Sequence, residues 1–335
     1  MWEEILLQGI KILGIASFAP ETEITNEDFT KIIDTSEEWI TTRTGIKKRH
    51  FAMGTATWEM GLNASREAIS RSGITAEDID LIICTTVTPD TLVPSTACKI
   101  QRELGVSGCM AFDINGACSG FVYAVDIAHK YLSAGTVKNV LVVSVEILSR
   151  ITDYSDRSSC ILFGDGAAAA VISASDSPFS SFMGADGRGA HYLRAASIRT
   201  RKNPFYDVKN IPYEPIDDNN GLLYQDGKEV YKFAVGIMPL AVKTVLENVG
   251  VSISDVDLII PHQANIRIIQ TAASKLETSI DKFYINIENF GNTSSASIPN
   301  ALNESIEKGK VKRGDKIVLV GFGAGLTYGA VYFEY

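Results

Sequence analysis

The sequence has no excess of positive charge, no long hydrophobic run and no paired cysteine motif, and each absence excludes a class of protein. Lys and Arg number 31 against 40 Asp and Glu, and the net charge of −9 gives no general attraction to nucleic acid or anionic lipid. The longest uncharged run, residues 317–333, holds four glycines in 17 residues and predicts two strands around a glycine turn. We therefore expect neither a nucleic-acid partner nor a membrane span.

Cysteine and histidine are also scarce. The five cysteines are an odd number and none forms a CxxC pair, so the sequence suggests neither a disulfide framework nor a metal site. The first residues lack the basic segment of a secretion signal, and we expect a cytoplasmic protein with reduced thiols. With 45% hydrophobic and 21% charged residues, the composition is typical of a globular chain.

An internal repeat organises the chain. Residues 73–84 (GITAEDIDLIIC) recur as residues 250–261 (GVSISDVDLIIP), at an offset of 177 residues. The same offset carries residues 138–144 (KNVLVVS) onto residues 315–321 (DKIVLVG). A helical pattern precedes the first strand of each copy. The repeated unit is therefore helix, strand, helix, strand.

Continuous apolar runs that alternate with helical patterns predict strands buried on both faces in an α/β fold. We predict two similar halves, residues 1–176 and 177–335, with the boundary in the polar stretch 173–181. Residues 197–226, rich in Pro, Asn and Asp, predict an irregular excursion or lid.

Cys118 is the cysteine whose surroundings favour a reactive thiol. It follows a strand-like run, residues 110–114, and a short turn, and it opens an apolar helical pattern. The positive end of a helix dipole and the free N–H groups at a helix start stabilise a thiolate. Cys84, Cys98 and Cys160 are interpreted as small core residues. Cys118 is therefore the candidate nucleophile.

Two further polar residues stand at positions where α/β proteins carry chemistry. His262 follows a buried strand in residues 260–265 (IPHQAN), and the ends of such strands usually bear ligands or catalytic groups. Asn292 lies in a polar turn after the strand-like run 284–287. The order Cys, His, Asn also matches that of papain-like peptidases. The cysteine context of those peptidases and their secreted, disulfide-rich composition are absent, which makes a peptidase the weaker hypothesis.

Five ordered motifs resemble β-ketoacyl-acyl carrier protein synthase III, over the chain from about Gly9 to the C-terminus. They are residues 37–46 (EEWITTRTGI), 115–121 (NGACSGF), 261–267 (PHQANIR), 291–299 (GNTSSASIP) and 321–329 (GFGAGLTYG). The resemblance implies a thiolase-like fold, in which two duplicated α/β halves form five layers in the order α-β-α-β-α. It also implies a homodimer. The glycines of the last motif lack GxGxxG spacing, and we expect no dinucleotide or other cofactor.

The resemblance assigns the chemistry to three residues. Cys118 would take an acyl group from acyl-CoA, and His262 and Asn292 would complete the catalytic site for malonyl-acyl carrier protein. A neutral imidazole and an amide N–H₂ are suited to stabilise the enolate that decarboxylation leaves. The backbone N–H groups of Cys118 and Ala324 would form the oxyanion hole. Many relatives have Gly in place of Ala324, a departure that matters only if the position needs positive φ.

Substrate contacts are implied in the same way. For coenzyme A, the resemblance implies that Trp39 stacks on the adenine, that Arg43 and Arg157 lie near the nucleotide, and that Asn265 lies near the pantetheine. For an isolated Trp, a core position would be about as common as a binding role.

Carrier-protein docking is assigned to a basic edge. Helical spacing after His262 predicts one apolar stripe and one polar stripe, and the polar stripe includes Arg267 and Lys275. The resemblance adds Lys232. An exposed, solvated face with no partner is the alternative interpretation.

Primer choice is the least constrained property. The loop before Pro94 closes the acyl pocket in the family, often from the dimer partner, and acetyl-using members commonly carry Phe where this chain has Val93. A smaller side chain predicts a pocket for longer or branched primers, unless a neighbour refills the space. Two other functions stay open: a related condensing enzyme of secondary metabolism, and a non-catalytic scaffold.

Overall fold

Two β-sheets with matching strand order form the framework of the protein. A computed structural model describes residues 9–195 and 221–335. The first sheet has the order β1-β7-β6-β4-β5, and the second has the order β8-β13-β12-β11. Within these residues the strands are β1 Gly9–Phe18, β2 Thr22–Thr25, β3 Lys48–Phe51, β4 Leu81–Thr85, β5 Met110–Ile114, β6 Asn139–Ile147, β7 Asp165–Ser175, β8 Ser180–Ala185, β9 Leu193–Arg194, β10 Tyr224–Gln225, β11 Leu258–Pro261, β12 Lys316–Gly323 and β13 Thr327–Glu334.

The helices cover both faces of each sheet. They are α1 Asn26–Thr30, α2 Glu37–Thr44, α3 Thr57–Ser72, α4 Thr96–Leu104, α5 Gly120–Ser133, α6 Gly227–Val249, α7 Ile266–Lys275, α8 Ile287–Phe290 and α9 Ser297–Glu307. Helices α3 and α4 pack outside the first sheet, α5 and α9 pack between the two sheets, and α6 and α7 pack outside the second. This arrangement is the predicted five-layer order α-β-α-β-α.

The repeat seen in the sequence is present in the fold. Strand β4 and strand β11 begin 177 residues apart, as do β6 and β12 and the helices α5 and α9. In both halves these two strands pair in parallel, and the long connection between them contains two or more helices. Strand β7 of the first sheet ends at Ser175, and β8 of the second begins at Ser180. The division at residues 176 and 177 lies in that loop and stays a prediction.

Burial explains why these segments form central strands. Every residue of β4 and β11 is buried, as expected for strands with helices on both faces. Each large aliphatic side chain removed from water in this way contributes about 1.5–3 kcal/mol. The uncharged run 317–333 forms β12, a short turn and β13, which confirms two strands around a glycine turn. None of the helices in the described part of the chain is long and apolar enough to span a bilayer.

Two segments differ from the sequence-based predictions or lie beyond the description. The run Tyr284 to Ile287 is not a strand; its backbone is irregular and Ile287 begins helix α8. The side chain of Gln263 forms backbone hydrogen bonds that a neighbouring strand would otherwise form. Its Nε2 donates to the Tyr284 carbonyl at 3.0 Å, and its Oε1 accepts from the Asn286 N–H at 3.2 Å. Of the predicted excursion 197–226, residues 197–220 lie outside the described residues.

Candidate active site

Cys118 lies in a sharp turn between strand β5 and helix α5. The preceding residue, Ala117, has a left-handed backbone with φ of 46°, and Cys118 lies in the short 3₁₀ turn Ala117–Ser119 that leads directly into α5 at Gly120. The predicted position at a helix N-terminus is therefore correct. The side chain is buried, and this burial raises the pKa of the Cys118 thiol to about 12, although hydrogen bonding from Ser294 opposes the rise. Burial thus opposes the thiolate stabilisation expected at a helix start, and it favours the neutral thiol in the unliganded protein.

His262 follows strand β11 and continues its pairing with β12. Its backbone N–H donates to the Val320 carbonyl at 2.8 Å, which fixes the chain where the ring leaves the strand. The ring is buried and packs edge-on against the Phe322 ring, with 5.3 Å between the two ring centroids. Its Nδ1 lies 2.7 Å from the Ser297 Oγ. Burial lowers the pKa of His262 to about 3. The imidazole is therefore neutral at physiological pH.

Asn292 is held by a backbone pairing with the segment before strand β7. Its N–H donates to the Leu162 carbonyl at 2.9 Å, and its carbonyl accepts from the Gly164 N–H at 3.0 Å. The side-chain Oδ1 accepts from the Ser294 N–H at 2.9 Å. Because the oxygen is used in this way, the Nδ2 amide group is the part of the side chain left for a ligand.

A single cavity of about 1380 Å³ brings the three residues together. Cys118, His262 and Asn292 all line it, with apolar side chains that include Leu162 and Phe322. Three residues far apart in the sequence thus face one space that is larger than a usual drug-sized pocket. Among the described residues, no group of three or more His, Cys, Asp or Glu is arranged to hold a metal ion.

The glycine-rich turn after β12 packs directly against the nucleophile. A Cβ added at Gly323 would lie 2.7 Å from the Cys118 nitrogen, so only glycine permits this approach. Ala324 lines the same cavity and does not adopt positive φ, which falls instead on Gly325 at 133°. The alanine in place of the family's glycine therefore carries no backbone strain.

Trp39 lies at the cavity wall in a cluster of cations. The Arg43 and Arg157 guanidinium groups lie over its ring at 4.6 and 4.2 Å from the centroid. Trp39, Arg43 and Asn265 line the cavity, whereas Arg157 reaches it only through Trp39. Asn265 caps helix α7 and also donates to the Arg43 carbonyl at 3.0 Å, which joins the helix to this wall.

Helix α7 has the predicted two stripes. Its buried residues are Ile268, Ile269, Ala272 and Ala273, and Arg267 and Lys275 are exposed. Arg267 lines the cavity and donates to the Thr42 carbonyl at 3.1 Å. Lys275 does not line it, and its Nζ donates to the Val235 carbonyl of α6 at 3.0 Å. Lys232 lines the cavity and pairs with Glu229.

Val93, the predicted acyl-pocket residue, lies outside the cavity of its own chain. It is 83% exposed at the tip of a loop, beside Leu92 at 66%. Leu92 lines the cavity and Val93 does not. A role of Val93 in an acyl pocket therefore requires the cavity of a second copy.

Comparison with known proteins agrees with this geometry over nearly the whole chain. Family models described as 3-oxoacyl-[acyl-carrier-protein] synthase III and its C-terminal region match residues 112–188 and 246–335. Beta-ketoacyl-[acyl-carrier-protein] synthase III of Clostridium acetobutylicum is 45% identical over 331 residues, 98% of this chain and 99% of that protein. The chain belongs to the β-ketoacyl-acyl carrier protein synthase III family. It is thus a condensing acyltransferase.

Solved structures of this synthase family have the same architecture. The crystal structure of 3-oxoacyl-[acyl-carrier-protein] synthase III from Aquifex aeolicus has a TM-score of 0.89 at 44% identity, covering 98% of this chain and 100% of that one. The priming β-ketosynthase of a polyketide biosynthetic pathway has a TM-score of 0.88 at 34% identity, covering 98% and 97%. The predicted thiolase-like fold is therefore confirmed.

Three residues of this synthase site escaped the sequence-based prediction. Arg150 lines the cavity and pairs with Asp90 at 2.8 Å, in a segment with no recognisable motif. Ser297 contacts His262, and its only sequence signal is its place in the serine-rich motif 291–299. The third, Glu146, lies behind the site.

Glu146 joins the two halves of the synthase through a buried carboxyl group. It accepts from the Val87 N–H at 2.9 Å, the Thr88 hydroxyl at 3.1 Å and the Ser295 hydroxyl at 2.8 Å. Burial raises the pKa of Glu146 to about 7. Among the described residues it has no cationic partner within ion-pair distance. In the sequence, Glu146 follows an apolar run of β-branched residues, and no local pattern indicates that its carboxyl group is buried between the halves.

Proposed function

We propose that the protein condenses acyl-CoA with malonyl-acyl carrier protein, giving β-ketoacyl-acyl carrier protein, CO₂ and CoA. This reaction starts type II fatty-acid synthesis. The observation that carries the proposal is the convergence of Cys118, His262 and Asn292 on one cavity. Each residue has a separate role in the three steps.

The first step is acyl transfer to Cys118. The thiol sulfur forms a bond to the acyl carbon, the bond from that carbon to the CoA sulfur breaks, and the thiol proton leaves with CoA. Because burial raises the pKa of the thiol, the negative charge forms only during the attack. The N-terminus of helix α5 stabilises that charge where it develops.

The second step is decarboxylation of the malonyl thioester. Loss of CO₂ leaves an enolate whose oxygen needs hydrogen-bond donors, and the neutral His262 ring and the Asn292 Nδ2 supply them. In the third step the enolate carbon attacks the acyl-Cys118 carbonyl carbon, the cysteine sulfur leaves as a thiolate, and one proton taken up from solvent restores the thiol. The backbone N–H groups of Cys118 and Ala324 hold the oxyanion between attack and departure.

Separate assays of the half-reactions test this division of roles. Cys118→Ala should acquire no radiolabel from acetyl-CoA and should keep a slow malonyl decarboxylase activity. His262→Ala should still be labelled and should lose decarboxylation by about 100-fold or more, the effect typical of one oxyanion-hole donor. If His262→Ala cannot be labelled, or if the wild-type protein acquires no label, the proposal is wrong. The second result would instead favour a non-catalytic scaffold.

A condensing enzyme of secondary metabolism is the second candidate. The likeness to the priming β-ketosynthase of a polyketide pathway favours it. Malonyl-acyl carrier protein and malonyl-CoA supplied side by side separate the two candidates, since the fatty-acid enzyme should turn over the carrier-protein substrate at the higher kcat/KM. A preference for malonyl-CoA would favour the second candidate.

We infer that coenzyme A enters past Trp39. Among the residues that the structure describes, six basic side chains line the cavity against one acid, Asp90, which is paired with Arg150; the six are Arg43, Arg150, Arg194, Lys228, Lys232 and Arg267. This excess of positive charge suits the phosphates of the coenzyme. Adenine would stack on Trp39 beside Arg43 and Arg157, and pantetheine would pass Asn265.

We propose that the carrier protein docks on the edge formed by Lys232, Arg267 and Lys275. An acidic partner would be attracted to this edge despite the negative net charge of the chain. The double reversal Arg267→Glu with Lys275→Glu should raise KM for malonyl-acyl carrier protein by a larger factor than KM for acyl-CoA, because Arg267 also lines the cavity whereas Lys275 does not. Lys243→Glu, an exposed charge reversal on α6, is the matched control. Equal losses in both half-reactions would contradict docking.

We also propose a cytoplasmic homodimer in which Val93 closes the acyl pocket of the partner. The exposure of both Leu92 and Val93 at the loop tip supports this role, because exposed apolar side chains at one point favour a protein contact. Analytical ultracentrifugation of the wild type and of Leu92→Asp with Val93→Asp tests it. A monomeric wild type would exclude the proposal.

A further inference from the structure

The Ser297 hydroxyl lies 2.7 Å from His262 Nδ1 in the buried part of the site. We propose that the Ser297 hydroxyl donates to His262 Nδ1 and thereby fixes the neutral ring in the tautomer with its proton on Nε2. Ser297 is then a positioning residue that makes His262 a hydrogen-bond donor. The role in decarboxylation rests on the proposed function, whereas the position of the proton does not.

The two partners of the Ser297 hydroxyl oxygen determine which atom donates in each hydrogen bond. The Gln263 backbone N–H donates to the Ser297 Oγ at 3.3 Å, which occupies one lone pair of that oxygen. Ser297 and His262 are each 2% exposed, so bulk water does not supply an acceptor for the hydroxyl hydrogen. Among the described residues the remaining polar atom bonded to this oxygen is His262 Nδ1, at 2.7 Å.

The opposite arrangement would leave a buried donor without a partner. If Nδ1–H donated to Ser297, two N–H groups would converge on one oxygen and the hydroxyl hydrogen would have no acceptor. Buried hydroxyl groups with no acceptor are rare because their loss of hydration is not compensated. With Nδ1 accepting, the neutral ring carries its proton on Nε2, the nitrogen left for the cavity that His262 lines.

The same short segment orients Asn292. Its Oδ1 accepts from the Ser294 N–H at 2.9 Å, which leaves the Nδ2 group as the donor. Residues 294–297 therefore use one backbone donor and one hydroxyl donor to turn both polar side chains into donors. This pairing suits an anionic oxygen and does not suit a positive charge.

The repeated half of the fold shows that this contact is particular to the active half. At the 177-residue offset, Ser297 corresponds to Gly120 and His262 corresponds to Thr85. A Cβ at Gly120 would lie 2.9 Å from the Thr85 Oγ1, so the two positions are also neighbours there and exclude a side chain. Only in the second half does the position carry a hydroxyl bonded to its neighbour.

Nitrogen-15 NMR of histidine-labelled protein reads the tautomer directly. The chain has four histidines, and the signal of His262 is the one that disappears in His262→Gln. We expect the wild type and Ser297→Thr to couple a proton to Nε2, and Ser297→Ala to show both tautomers. Ser305→Ala is the matched control, since Ser305 is a buried serine of the same helix and its hydroxyl donates to the Leu302 carbonyl of that helix.

Activity assays add a second readout. In a Cys118→Ala background, Ser297→Ala should slow malonyl decarboxylation about tenfold, the size expected for one hydrogen bond, and Ser297→Thr should restore it. Labelling of Cys118 by acetyl-CoA in the single Ser297→Ala variant should change less than about twofold on the same basis. Wild-type protein with the proton on Nδ1 would overturn the inference, and so would a folded Ser297→Ala that keeps the Nε2 proton and the full decarboxylation rate.

The outcomes separate this inference from the proposed function. A wild-type ring protonated on Nε2 in a protein that decarboxylates no malonyl thioester would support the tautomer assignment and refute the function. If Ser297→Ala does not fold, as judged by circular dichroism, the wild-type and Ser297→Thr spectra decide the assignment by themselves.

Discussion

The buried carboxyl group of Glu146 makes stability depend on pH in a way that one substitution removes. Burial raises the pKa of Glu146 from 4.5 to about 7, a change equivalent to about 3 kcal/mol. Because the folded state binds the proton more tightly than the unfolded state, this group lowers the free energy of unfolding as pH rises from 4.5 through 7. The charged form is therefore the costly one.

Glu146→Gln should remove this dependence with little change in geometry. The amide oxygen can accept from the Val87 N–H, and the amide nitrogen can donate to the Ser295 oxygen. The Ser295 hydroxyl then turns to the Thr85 carbonyl, which it already approaches at 3.3 Å. Between pH 4.5 and 8, we expect the free energy of unfolding of Glu146→Gln to rise by about 3 kcal/mol relative to that of the wild type.

Urea unfolding at several pH values measures the difference. His262, whose pKa burial lowers to about 3, has the opposite effect between pH 3 and 6.5, where stability falls as pH falls. That effect is present in both proteins and cancels in the comparison. Glu77→Gln, the same change at an exposed site, is the control and should follow the wild type. If the free energy of unfolding changed with pH in the same way for the wild type and for Glu146→Gln, the reasoning would be refuted.

Three further substitutions or treatments have defined outcomes. Alkylation of Cys118 by iodoacetamide should keep accelerating from pH 7 to 9, because burial raises the pKa of the thiol to about 12; a plateau below pH 8 would show a far more acidic thiol. Trp39→Ala should raise KM for acyl-CoA about tenfold through the lost stacking surface, and an unchanged KM would remove Trp39 from the coenzyme site. Val93→Phe should move preference from hexanoyl-CoA towards acetyl-CoA, by a few-fold in kcat/KM for each carbon at roughly 0.8 kcal/mol per CH₂; a strong acetyl preference in the wild type, unmoved by Phe, would contradict the enlarged pocket.

Sequence reasoning succeeded where local pattern and tertiary position coincide. The repeat predicted both central sheets because buried strands and their flanking helices keep a strict periodicity. Cys118 and His262 were recognisable because each stands where a strand ends, a position that directs side chains into the same cleft. The turn after β12 was likewise marked by its glycines.

The failures have physical causes that a sequence does not display. The thiolate stabilisation expected at a helix start is opposed at Cys118 by burial, a tertiary property that raises the pKa of the thiol. The strand expected at residues 284–287 was wrong because the Gln263 side chain satisfies that backbone. Glu146 acts through a contact between the halves, and Ser297 acts through a contact with His262, 35 residues away; no local pattern predicts either contact.

Because of the 177-residue duplication, the chain contains a second position that is equivalent to its active site but is buried. Position 118 corresponds to Ser295, and Gly323, which makes room beside the nucleophile, corresponds to Glu146. At the active site a glycine packs directly against the cysteine, whereas at the second position the Glu146 carboxyl group accepts a hydrogen bond from the Ser295 hydroxyl at 2.8 Å. One of the two equivalent positions thus carries the reactive thiol. At the other, the Glu146 carboxyl and Ser295 hydroxyl groups bond to each other and support the wall behind the active site.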